Sequence, residues 1–90
     1  MTGTSAPRKK TGKPAGDDPV LLELGAQLAQ RRRDIGALQA DIAEKAGVSR
    51  STLHTIEHGG TGVRWEKVAA VAHALGLTMN FEATASAGEA

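Results

Sequence analysis

The sequence predicts an all-α fold: a bundle of four to five short helices, closed by one short C-terminal β-strand that pairs across a dimer. Three observations predict it. Apolar residues return at helical spacing through most of residues 18–76. Glycines stand at 36, 47, 59 and 76, each just beyond such a run. After the last of them, Leu77, Met79 and Phe81 alternate with Thr78, Asn80 and Glu82 at a period of two.

Residues 1–17 are rich in Gly, Pro, Ser, Thr and Lys and carry almost nothing to bury, so a flexible basic N-terminal tail is expected there. Arg8, Lys9, Lys10 and Lys13 suit either a solvated leader or an arm that tracks phosphates. The first helix begins at Asp18, whose carboxylate can cap free amides, with Pro19 at the first helical position. Leu21, Leu24, Leu28 and Ile35 form its expected inner stripe, and Gly36 stops it.

A second short helix is expected in "LQADIAEKAG", with Ile42, Ala43 and Ala46 inward and Gly47 at its end. Ser49 then caps a third helix that Gly59 terminates. The glycines of "GGTGV" make a loop whose backbone can approach a partner closely. From Arg64 to Leu75 a further helix is expected, burying Trp65, Val68, Val71, Ala72 and Leu75 and leaving His73 exposed. Residues 77–82 are the expected strand. Alone it would leave its ladder groups unpaired, so its partner is expected to be the same strand, Leu77, Met79 and Phe81 included, of a second subunit. Residues 83–90 read as a flexible C-terminal tail.

Ninety residues make one small domain, set here at residues 18–76. Cysteine is absent, which excludes a disulfide framework and thiolate metal ligands. No apolar run approaches the ~20 residues of a membrane span, and no secretory segment opens the chain. A cytoplasmic location is expected, with no membrane partner and no cofactor. Net charge is only +1, but Arg31, Arg32 and Arg33 stand together.

The stretch "HTIEH" fits the pattern in which two histidines on one helical face hold zinc beside a glutamate that activates water. With no third ligand and no room for a cleft, no metal site is expected. At 3.6 residues per turn, Arg50, Ser51, His54, Thr55 and His58 share an arc of about 140°, with Leu53 and Ile56 behind them. Helix, Gly-containing turn and helix in this order is the geometry that pushes a second helix into a DNA major groove.

"GALQADIAEKAGVSRSTLHTIEHG" resembles the lambda-repressor-like helix-turn-helix family, often called Xre, and the likeness extends over nearly all of residues 20–76. The resemblance implies that Arg50, Ser51 and Thr55 read bases. His54 shares their face at a position where the family varies freely, and it suits either a DNA-facing donor or a solvated residue. It implies that Gln39 bonds a phosphate while bracing the reading helix, and that Arg32 and Glu57 form a largely buried ion pair. Phosphate contacts are further expected from His58, Thr61, Arg64 and the N-terminal amides of the second and third helices. Arg31 and Arg33 suit either phosphates or the negative end of their own helix. Leu38 departs from the family's Thr or Ser, removing a side-chain cap. Arg50 replaces a frequent Gln and favours guanine O6 and N7.

A helix of this size reads few base pairs, so a homodimer on a pseudo-palindromic double-stranded operator is expected. A strand directly after "ALGL" resembles HipB-type antitoxins, which implies an autoregulating antitoxin with a HipA-type kinase toxin as partner. A stand-alone Xre-type regulator and a protein-interaction module without DNA remain the alternatives.

Overall fold

The computed structural model describes residues 16–84; the tails expected over residues 1–15 and 85–90 lie outside the described residues. Four helices are present among the described residues: α1 (Pro19–Asp34), α2 (Gln39–Ala46), α3 (Arg50–Glu57) and α4 (Trp65–Ala74). α1 packs on α3, α2 on α3, and α2 on α4.

The helix starts follow the side chains. Asp18 accepts hydrogen bonds from the backbone N–H of Val20 at 2.8 Å and Leu21 at 3.2 Å, with Pro19 removing a donor that would lack a partner. Ser49 Oγ accepts from the Thr52 N–H at 3.0 Å. Leu38 has no oxygen to offer, so only the return half of a capping box forms: the Asp41 carboxylate accepts the Leu38 N–H at 3.1 Å.

All four helices end by one device, seen most clearly at the α2–α3 turn. Gly47 adopts φ 75°, left-handed, and the next residue, Val48, donates its N–H back to the Ala43 carbonyl at 3.0 Å. Ala37 to Arg32, Gly60 to Thr55 and Leu77 to Ala72 repeat that bond. Three of these following residues, Ala37, Val48 and Leu77, pack against the core, so each stop also turns the chain inward.

The core is Leu28, Ile42, Ala43, Leu53, Ile56, Val71, Ala72, Ala74 and Leu75, with Leu53, Val71 and Leu75 fully enclosed. Two expectations are corrected on α1: Leu24 and Ile35 are 44% and 45% exposed. The inward line of α1 is Leu21, Gly25, Leu28, Ala29 and Arg32 instead. Gly25 is the cause. It lies so close to the Ile56 and Glu57 carbonyls that a Cβ would overlap them, so the contact line of α1 runs through small residues and puts the larger ones on its flank.

Trp65, expected inside, is 62% exposed. It shares a stripe with Val68, Val71, Ala72 and Leu75 but stands first on it, at the end of the helix away from the enclosed Val71 and Leu75, where even Val68 is only half-buried. Its indole stacks on Phe81, ring centroids 6.5 Å apart and planes 14° from parallel. Residues 77–82 differ from expectation too: no strand is found among the described residues. A strand exists by its ladder bonds, and the rest of the described chain is helix and turn, with no second extended segment to supply them. Leu77 is half-buried against the core, while Met79 and Phe81 are 40% and 84% exposed.

Candidate nucleic-acid interface

The α2–Gly47–α3 unit fixes one face of α3 against the bundle and turns the other outward. Behind, Leu53 and Ile56 enter the core, and Glu57 is buried between α1 and α2. Arg32 grips it at two points, Nε to Oε2 at 2.7 Å and Nη2 to Oε1 at 3.1 Å, while Nη1 donates to the Ala37 carbonyl at 3.1 Å. Gln39 Nε2 donates to Glu57 Oε1 at 3.0 Å. The side chains of Arg32 and Glu57 are 14% and 3% exposed. Burial pushes the Glu57 carboxyl up, yet the hydrogen bonds from Arg32 and Gln39 and the Arg32 charge outweigh it and hold the group below its ordinary value of 4.5. The same contact raises Arg32.

In front, Arg50 and Ser51 are exposed and His54 and Thr55 half-buried. Gln39, Arg50, Ser51 and His54 line an open depression where the start of α2 meets α3. Gln39 Nε2 reaches His54 Nδ1 at 3.5 Å, so one amide touches both the buried ion pair and the outer face. The His54 and His58 rings lie 4.0 Å apart, and His58 Nδ1 donates to the His54 carbonyl at 2.8 Å, leaving Nε2 outward. Thr55 Oγ1 donates to the Ser51 carbonyl at 3.1 Å. Arg50 bonds to no other described residue.

A family model described as a helix-turn-helix domain matches residues 23–80. The chain belongs to this family. Within it, the helix-turn-helix proper is α2–Gly47–α3, and the resemblance is to its Xre-like members. No curated protein and no solved structure matches the chain.

In this helix-turn-helix protein, the "HTIEH" pattern has no catalytic geometry. Glu57 points into the bundle, and both its oxygens are taken by Arg32 and Gln39, so the carboxylate is not free to activate a water. Among the described residues no three His, Cys, Asp or Glu side chains come together as a metal would require. No helix among them is long and apolar enough to cross a membrane.

The remaining expected contacts scatter around α3. Thr61 is exposed in the loop after Gly59, and Arg64 is exposed at the start of α4, loosely paired with Glu66 at 3.4 Å. Arg33 bonds Gln30 at 3.2 Å on the surface. Arg31 has a role that sequence reasoning missed: its Nε donates to the Leu75 carbonyl at 2.9 Å, tying α1 to the end of α4. It serves a helix C-terminus, but that of a helix 44 residues away, which spacing does not reveal. The close approach at Gly25 was also missed, and a glycine inside a long helical run was the available signal.

Proposed function

We propose that this helix-turn-helix protein is a sequence-specific transcriptional repressor that binds double-stranded DNA, with α3 in the major groove. One observation carries the reading: the outer face of α3 keeps Arg50 unpartnered and Ser51 and His54 around an open depression, while the inner face is clamped by Leu53, Ile56 and the Arg32–Glu57–Gln39 contacts. A polar face of this kind, held rigid from behind, suits base edges that present fixed patterns of donors and acceptors. Arg50 takes a guanine, Ser51, Thr55 and His54 read neighbouring edges, and Gln39, His58, Thr61 and Arg64 take phosphates.

Two copies on a pseudo-palindrome supply the selectivity that one α3 lacks. The dimer forms through Leu77, Met79 and Phe81 in the segment after α4, where Leu77 packs against the core while Met79 and Phe81 are exposed. The finer role is that of an antitoxin repressing its own operator and holding a HipA-type kinase; the position of that segment supports it. Selection of bound duplexes from a random pool, followed by titration on the selected and a scrambled duplex, tests the reading. A pool that yields no enriched half-site, or enriched sites without two-fold symmetry, overturns it. Failure to co-purify a kinase co-expressed from the neighbouring gene removes the antitoxin role alone.

A further inference from the structure

The outer arc of α3 has less hydrogen-bonding capacity to offer than its residue types suggest. His58 spends its Nδ1–H on the His54 carbonyl, and Thr55 spends its hydroxyl hydrogen on the Ser51 carbonyl, one turn back, at 3.1 Å. Arg50 keeps its donors, and Ser51 stays exposed with its Oγ 3.5 Å from that of Ser49.

For Thr55 the consequence is a change of kind. A threonine hydroxyl has one hydrogen to donate, and here it is committed within the helix. What the residue still presents is its γ-methyl and a lone pair. The bond to Ser51 also fixes the methyl: with Oγ1 held on the preceding turn, the methyl takes one of the two staggered positions by which helical side chains leave the axis. Arg50, Ser51, His54 and His58 carry no methyl group, so Thr55 supplies the apolar terminus of an otherwise polar arc.

The base edges in a DNA major groove carry one apolar group, the C5-methyl of thymine. We propose that Thr55 is a specificity-determining residue that reads a thymine through contact between the two methyl groups, and not through a hydrogen bond from its hydroxyl. The back-bond to Ser51 is what converts a polar residue into an apolar reader. Thr55 then discriminates thymine from a pyrimidine that lacks the methyl, while Arg50 discriminates by donors.

The inference rests on the DNA-binding reading, and the test separates the two. The duplex most enriched from a random pool is resynthesised with each half-site thymine replaced in turn by deoxyuridine, which removes the methyl and keeps the hydrogen-bonding edge. The unaltered chain, Thr55→Val and Thr55→Ser are titrated on every duplex. A buried methyl is worth about 0.8 kcal/mol, or about fourfold in affinity. At one thymine the unaltered chain is expected to lose about fourfold on replacement, and Thr55→Val, which keeps a methyl and has no hydroxyl, to lose as much. Thr55→Ser, which keeps the hydroxyl and has no methyl, is expected to bind thymine and deoxyuridine alike there. Helical circular dichroism of both variants matches that of the unaltered chain, because Thr55 lies outside the core. A half-site without thymine, equal binding of the unaltered chain to all the duplexes, a thymine preference that persists in Thr55→Ser, or one that disappears in Thr55→Val overturns the methyl contact and leaves the DNA reading standing. Failure of the unaltered chain to enrich any duplex overturns both.

Discussion

On α3, two faces of one eight-residue helix differ in how much of their hydrogen-bonding capacity is already used. Glu57 is as polar as Arg50, yet both its oxygens are occupied by Arg32 and Gln39, and it is buried with Leu53 and Ile56. Arg50 on the other side has no described partner. Polarity alone therefore does not mark a binding face; unmatched capacity does. The inner face acts as the mount and the outer face as the instrument.

The contrast breaks most severely from the inside. Leu53→Ala removes a fully enclosed side chain and is expected to cost about 3 to 5 kcal/mol of stability. Denaturant unfolding measures it, and a loss below about 1 kcal/mol would mean that α3 is not anchored through this residue. Glu57→Ala strands the Arg32 guanidinium with only the Ala37 carbonyl and is expected to cost about 3 kcal/mol.

The same pair sets the response to acid. Because Glu57 holds its proton less tightly folded than unfolded, its stabilisation is fully present above about pH 4.5 and is lost as pH falls through the lower native value. Thermal melts of the chain and of Glu57→Gln from pH 7 downward check this: the variant is less stable at neutrality, and the gap narrows below pH 4.5. A gap that widens on acidification contradicts the assignment.

Changes on the outer face should sharpen the contrast by leaving stability alone. Arg50→Ala is expected to shift stability by no more than about 0.5 kcal/mol and to weaken operator binding by about 1 to 3 kcal/mol, relaxing preference at one base pair. Equal losses on operator and scrambled duplex would take Arg50 out of the reading set. The smallest effect belongs to Arg64→Ala, whose partner Glu66 is itself exposed: a uniform weakening on all duplexes with the salt slope reduced by about 1.

The helices were legible because their signals are local. Asp18, Pro19 and Ser49 mark starts and Gly36, Gly47, Gly59 and Gly76 mark ends, each through bonds made within a few residues. The division of α3 into two faces followed from its period for the same reason. What stayed hidden depends on distant chain. Leu24, Ile35 and Trp65 are apolar at helical spacing, yet whether they are covered depends on the approach of α1 to α3 at Gly25 and on what lies beyond the first turn of α4. The period of two at 77–82 is real in the residues, but pairing is a property of two segments and only one is present among the described residues.

The exposed indole has a practical corollary. Trp65 is the chain's sole tryptophan, and there is no tyrosine, so ultraviolet emission comes from a ring 62% open to water and stacked on Phe81. Its fluorescence will register whether the segment after α4 stays docked and will be nearly blind to melting of the aliphatic interior. Optical and far-ultraviolet dichroic transitions of this protein should consequently part company without signalling any populated folding intermediate.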